Sequence, residues 1–287
     1  MNKVKQLETY FNNHKSEVEL NYPGINLKRL QDDCISYIGT GLFAYGDSFS
    51  IDGQQKIESF IEGISQGIPL EYILERAHFY GREFYVNPYT LIPRFETEVL
   101  VEQGLKFLGT IENQDKVQII DVGSGCGCII LSLLAEIGLP VNGAATDISK
   151  DALGVSKKNY EKLKYSIHPD SCLKFIEGDR LNNIGEEFDL IISNPPYIKK
   201  ESDADLVHGQ VNKFEPALAL YLEDDEYEVW FNQFFAQVDK SLKVGGLFLM
   251  EGHENHLDSL AKMLKGKNIA GEVSVKKDLG GSKRFLM

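Results

Sequence analysis

From Met1 to about Ile68 the apolar positions recur at helical spacing: Leu27, Leu30, Cys34, Ile35 and Ile38, then Ile57, Phe60, Ile61 and Ile64. Asn21-Tyr-Pro-Gly24 and the stretch from Gly39 to Gly46 punctuate them. The pattern predicts about four short helices. Between Pro69 and Pro93 it changes to aromatic and β-branched residues around Gly81, which predicts a hairpin. Arg94-Phe95-Glu96-Thr97-Glu98 then leads into an apolar-periodic helix carrying Val99, Leu100, Val101, Leu105 and Leu108.

From Lys116 onward apolar strands alternate with helical stretches: 117–122, 126–137, 141–146, 150–163, 173–176 and 188–193. That rhythm predicts a parallel sheet with helices on both faces. A helix over 226–242 carries Trp230, Phe231, Phe234, Phe235 and Val238, a stripe that core packing accounts for. Lys243-Val-Gly-Gly246 reads as a turn, 247–250 as a strand and 255–264 as a helix. Strands at 273–275 and 284–287 flank Asp278-Leu-Gly-Gly281.

Strand 188–193 is a continuous apolar run that stops at Asn194-Pro195-Pro196-Tyr197, because proline supplies no ladder hydrogen bond. A stiff loop at the carboxyl end of a buried strand stands where open α/β sheets bind ligands. Its amide, backbone carbonyls and aromatic face suit a flat, neutral group bearing an NH2. The plainer role for Asn194 is to cap a turn before two prolines.

Ile119 to Ile130 reads as strand, glycine-rich bend and helix: Gly123-Ser124-Gly125-Cys126-Gly127 lets the backbone take positive φ and lets a ligand lie against main-chain N–H groups. The third glycine of a pyrophosphate binder and the Walker lysine are both missing, which disfavours a dinucleotide and ATP. Asp147 closes the next strand, where an acid accepts from ribose hydroxyls or caps the following helix. Asp179 ends the strand after that, within reach of an adenine amino group or simply in a turn. Three such features at successive strand ends point to an adenosine ligand without a phosphate chain. Arg94 either starts its helix or approaches the cofactor or substrate.

Charge and composition narrow the partners. The 287 residues carry a net charge of −13, which disfavours non-specific nucleic-acid binding and favours a basic protein partner. No window approaches the length of a membrane span, and the first residues lack an apolar signal core, so a cytoplasmic location is expected. Four cysteines, two of them in Cys126-Gly127-Cys128, lack the spacing of a zinc site, and no metal is expected. His14 is a lone histidine on a polar stretch, expected to be solvated.

Together the glycine bend, the acid after the second strand and Asn-Pro-Pro-Tyr after the fourth resemble class I S-adenosyl-L-methionine-dependent methyltransferases that methylate amino groups. More narrowly, Gly67-Ile-Pro-Leu-Glu-Tyr-Ile73, Phe79-Tyr-Gly81, Leu91-Ile-Pro-Arg-Phe-Glu-Thr-Glu98 and Glu215-Pro-Ala-Leu-Ala-Leu220 resemble the HemK/PrmC-type N5-glutamine methyltransferases. The resemblance implies an α/β fold: a class I (Rossmann-like) methyltransferase domain over 95–287, a small helical substrate-recognition domain over 1–76, and a β-hairpin connector over 77–94. It implies methyl transfer to the glutamine N5 of the GGQ loop in class I peptide chain release factors. Gly123, Ser124, Gly125, Cys126, Gly127, Asp147, Asp179, Arg180 and Asn194 are then expected at the cofactor. Asn194, Pro195 and Tyr197 are expected as catalytic residues, with Pro196 and Arg94 joining them at the substrate. Phe95 stands where the family usually has proline, Arg180 where it often has an aromatic ring, and Tyr221-Leu-Glu-Asp-Asp where Gly-Gly-Asp-Gly is common. Alternatives are the glutamine of a ribosomal protein, adenine N6 in nucleic acid, and a non-catalytic cofactor-binding partner of the translation machinery.

Overall fold

The computed structural model describes residues 9–22, 24–38, 51–112, 115–267 and 271–287. The chain forms two compact units, one of 1–75 together with 209–214, the other of 76–208 together with 215–287.

The smaller unit is helical, with helices Lys15–Asn21, Leu27–Ile38, Ile51–Gln66 and Leu70–Ile73. Their apolar faces converge on Phe11, Val18, Leu30, Cys34, Phe60 and Ile64, all buried. Burial pushes the Cys34 thiol up to about 12, so it behaves as a small apolar side chain. Tyr22 reaches across to donate its hydroxyl proton to the Ile68 carbonyl. The short helix Gly209–Phe214 belongs to this unit through Gln210, whose Nε2 donates to Gly67 O at 2.8 Å. His14 is exposed and stacks on Tyr10 with ring centroids 4.3 Å apart. The turn expected at 39–46 lies outside the described residues.

The larger unit opens with the hairpin of β1 (Ala77–Phe79) and β2 (Arg82–Phe84). Its turn puts Tyr80 and Gly81 at positive φ, 48° and 71°. The main sheet contains β3 (Val117–Val122), β4 (Val141–Asp147), β5 (Cys172–Glu177), β6 (Phe188–Ser193), β9 (Leu242–Glu251), β10 (Val275–Lys277) and β11 (Lys283–Leu286). Their order is β10-β11-β9-β6-β3-β4-β5. A separate two-stranded pair joins β7 (Ile198–Lys199) and β8 (Tyr221–Leu222) in parallel.

Two expectations change. The sheet is parallel from β5 to β9, but β11 runs antiparallel to both of its neighbours, β9 and β10. The turn expected at Lys243–Gly246 is instead part of the ten-residue β9. There the register against β6 shifts between Phe188 and Leu190, and Gly245 sits at φ 79°. The glycine pair bends a strand without ending it.

Alternation along β6 divides the core. Leu190 and Ile192 face the helix Glu98–Leu108, where Gly104 leaves so little room that a Cβ would lie 3.1 Å from Leu133 and 3.2 Å from Leu190. Ile191 joins Ile120, Val122, Phe248 and Met250 on the opposite face, against helices Tyr227–Ser241 and Leu257–Lys265. Phe231, Phe234 and Phe235 are fully buried there, each contributing about 1.5–3 kcal/mol by leaving water. After β3 the chain steps outward through β4 and β5, then returns to place β6 on β3's other side. Such a reversal opens a crevice at the carboxyl ends of the two central strands.

Candidate active site

Val122 pairs with Ser193 at the ends of β3 and β6, so the residues that follow, Gly123 and Asn194, leave the sheet side by side. Ser193 Oγ donates to Val122 O at 2.7 Å and stitches the two ends together. A cavity of about 390 Å³ opens above them, within the usual range for small-ligand sites.

The bend after β3 forms one wall. Gly123, Gly125 and Gly127 all take positive φ, at 71°, 55° and 82°. A Cβ on Gly127 would lie 2.4 Å from Ser156 Oγ, so glycine is required there by space as well as by conformation. Ser124 and Cys126 complete the bend and line the cavity. Asn159 supports it from behind, donating Nδ2 to Cys126 O at 2.9 Å.

Asp147 at the end of β4 is tied to this bend. Its Oδ2 accepts from Gly125 N and its Oδ1 from Ser149 N, both at 2.9 Å. The helix Lys150–Leu163 is capped by Ser149, which accepts from Ala152 N, so capping is not the role of Asp147. Burial raises the Asp147 pKa against the pull of these N–H groups. Deeper in, Asp121 on β3 is fully buried and pushed up to about 7 by desolvation.

Asp179 and Arg180 follow β5 and line the same cavity, but they are paired with each other. Arg180 Nη2 lies 2.6 Å from Asp179 Oδ2 and Nε donates to Oδ1 at 2.8 Å. The guanidinium also donates to Trp230 O at 2.9 Å and lies 5.0 Å from that ring's centroid. Arg180 therefore already stacks on an aromatic face supplied by this chain. Trp230 itself lines the cavity, although its place in an apolar stripe reads as core alone.

The loop after β6 forms the opposite wall. Pro195 is buried, and Asn194, Pro195 and Pro196 line the cavity. Tyr197 is not among the lining residues. Its hydroxyl donates to Glu251 Oε1 at 3.0 Å, and burial beside that carboxylate raises its pKa. Asn194 Nδ2 donates to Thr97 Oγ1 at 3.2 Å, and Thr97 Oγ1 donates to Glu251 Oε2 at 2.7 Å. Asn194 Oδ1 is buried without a hydrogen-bond partner. An amide oxygen without a partner is an unused acceptor on a residue that lines the cavity.

Sequence reading passed over both partners in this network. Thr97 was legible only as part of a helix start. Glu251 carries the signal that marks Asp147 and Asp179, an acid where a strand ends, but it ends β9, the last parallel strand.

Arg94 lines the cavity and pairs with the buried Glu215, which also accepts from Ile92 N at 3.0 Å. Phe95 is exposed and absent from the lining. Cys126 and Cys128 are buried free thiols, and no group of acids, histidines and cysteines placed to hold a metal occurs among the described residues.

Residues 100–219 match the family model of the methyltransferase small domain. Relatives named release factor glutamine methyltransferase cover most of the chain. That of Koribacter versatilis is 36% identical, over 73% of this chain and 72% of its own. That of Flavobacterium psychrophilum is 32% identical over 80% and 78%, and that of Bacillus subtilis 33% over 82% and 80%. The chain belongs to the release factor glutamine methyltransferase family. The HemK/PrmC resemblance drawn from the motifs is thus matched by relatedness over 73–82% of the chain. Among solved structures, the hMettl16 catalytic domain in complex with a MAT2A 3′UTR hairpin covers 92% of both chains with a TM-score of 0.53 at 15% identity, a likeness of fold alone. Within the family frame, residues 123–126 of the bend and 194–196 of the loop line one cavity, while Gly127 and Tyr197 do not. No helix among the described residues is long and apolar enough to cross a membrane.

Proposed function

We propose that this chain transfers a methyl group from S-adenosyl-L-methionine to the side-chain amide nitrogen of the glutamine in the GGQ loop of class I peptide chain release factors. Family membership supports the reaction, and the unpartnered Asn194 Oδ1 is the observation that carries the chemistry.

The cavity suits the donor. Asp147 and Asp179 stand at two strand ends, Trp230 and Ile129 supply apolar surface, and the glycine bend brings bare main chain to the wall. The N–H groups of Gly123, Ser124, Gly125 and Gly127, expected from the sequence to face a ligand, are already bonded within the protein. Gly123 to Gly127, Asp147, Asp179, Arg180 and Asn194 would hold S-adenosyl-L-methionine, which supplies an electrophilic methyl on sulfur.

Against that methyl the protein must present a poor nucleophile, because the lone pair of a carboxamide nitrogen is delocalised into its carbonyl. Asn194 Oδ1 and the Pro195 carbonyl would accept the two N–H protons and so aim the nitrogen. Both acceptors are dipoles fixed before reaction, so positive charge developing on nitrogen meets a field that need not reorganise. Orientation of this kind is worth up to about 7–11 kcal/mol in well-aligned systems. Pro196 and Arg94, which line the cavity, would stand alongside the amide. Tyr197, expected from the sequence to stack on it, instead packs behind the loop with its hydroxyl held by Glu251 and would stiffen the loop from there. The proton leaves to solvent after transfer, so the site needs no dedicated base.

The helical unit would recognise the release factor, and a cytoplasmic location follows from such a substrate. Net charge of −13 fits a basic protein partner better than nucleic acid. Incubation with methyl-labelled S-adenosyl-L-methionine, a class I release factor and ribosomal proteins, followed by mass mapping, tests the reading. Label on the GGQ glutamine is expected. Label confined to a ribosomal protein would refute it.

A further inference from the structure

Glu251 ends β9 with 2% of its surface exposed, yet no positively charged nitrogen among the described residues lies within ion-pair distance of it. Its two oxygens are spent on two hydroxyls, Thr97 on Oε2 and Tyr197 on Oε1. A carboxylate accepts and does not donate, whereas a hydroxyl has one proton to give. The Thr97 proton goes to Glu251, so Thr97 Oγ1 faces Asn194 with lone pairs only. The Asn194 amide must therefore turn its NH2 toward Thr97 and its oxygen away. That oxygen is the buried acceptor left without a partner. In most asparagines the two ends are close to interchangeable, but here a chain of single-direction hydrogen bonds selects one.

We propose that Glu251 and Thr97 are positioning residues that set the polarity of the substrate-amide site. Glu251 orders Thr97, Thr97 orders Asn194, and the same carboxylate fixes Tyr197 from its far end. The inference rests on the reading of Asn194 as the acceptor for the substrate amide.

The arrangement predicts a reversal of polarity. In Glu251→Gln one carboxylate oxygen becomes an NH2. When that NH2 faces Thr97, the threonine hydroxyl turns to donate to Asn194, whose amide then presents its own NH2 to the substrate. An acceptor site becomes a donor site without any change in shape.

The test compares Thr97→Val, Thr97→Ser and Glu251→Gln in the full-length enzyme, reading kcat, KM for the methyl acceptor, cofactor affinity by calorimetry, and thermal unfolding. Thr97→Val and Glu251→Gln are expected to lower kcat about 100-fold, with KM and cofactor affinity within about threefold of wild type. Thr97→Ser keeps the hydroxyl and is expected to restore at least about a third of wild-type turnover. Wild-type turnover by Thr97→Val, or equal losses in the Ser and Val variants, would overturn the proposal. If Glu251→Gln does not fold, the Ser and Val pair still decides. The Ser-to-Val ratio is read on whichever acceptor the wild-type enzyme methylates, so failure of this relay is distinct from an error in the substrate.

Discussion

Glu215 and Arg94, 121 residues apart in sequence, form an ion pair in which the acid side chain is 1% exposed and the arginine about a third exposed at 32%. The carboxylate also holds Ile92 N at 3.0 Å. Two cavity-lining segments, 88–97 and 216–222, are thereby joined at one buried group.

Removing the two partners should not cost the same. Arg94→Ala leaves a buried carboxylate with only a backbone N–H, and is expected to destabilise the protein by about 3–5 kcal/mol in urea unfolding. Glu215→Gln keeps one acceptor oxygen for Ile92 N and leaves the arginine partly in water, at a cost of about 1–2 kcal/mol. An equal loss in both would mean that burial of the acid is not what sets the energy.

Asn194→Ala is expected to lower methyl transfer by at least about 100-fold while cofactor affinity stays within a few-fold. Mass spectrometry of a Gly-Gly-Gln substrate gives the first quantity and calorimetry the second. Undiminished turnover would remove Asn194 from the chemistry.

Gly127→Ala should destabilise by two separable routes. A left-handed φ costs an alanine about 1–2 kcal/mol, and the added Cβ would strike Ser156 Oγ at 2.4 Å. Adding Ser156→Ala relieves the contact but not the conformational cost, so thermal unfolding of the double variant is expected between the single variant and wild type. Full recovery would show that φ carries no cost at this position.

Asp121 gives stability a pH dependence of definite sign. Burial raises its pKa from 3.8 to about 7 in the folded state, so the folded form keeps a proton that the unfolded form releases. Stability from this group is full below about pH 4 and is lost as pH rises toward 7. The difference amounts to at most about 4 kcal/mol, because each pKa unit is about 1.4 kcal/mol. Asp121→Asn is expected to gain stability over wild type with rising pH and level off above 7. A constant difference between the two from pH 4 to 8 would refute the assignment.

The parts legible in the sequence are those signalled by neighbours in the chain. Glycines 123, 125 and 127 end β3, and prolines 195 and 196 end β6, because the residues themselves dictate the backbone. The pairing of Val122 with Ser193 depends on strand order, which no local signal carries. Gly245 and Gly246 were misleading for a related reason: the same freedom that makes turns also bends a paired strand, and only β6 alongside determines which. Thr97 and Glu251 stand 154 residues apart, so their hydrogen bond has no trace in either segment alone. Trp230 serves two surfaces at once, packing against the core while facing the cavity, and a hydrophobic stripe reports only the first.

Asn159 gives the bend at 123–127 a mechanical property. Its Oδ1 accepts from Tyr85 N at 2.7 Å, and its Nδ2 donates to both Tyr85 O and Cys126 O at 2.9 Å. Both amide protons are used, so the residue just past the hairpin and the glycine bend share one bracket. Slack introduced at Tyr85 is felt at Cys126 with no intervening joint to absorb it. An enzyme that loosened this bend to let product go would have to unfasten the chain just past its hairpin in the same motion.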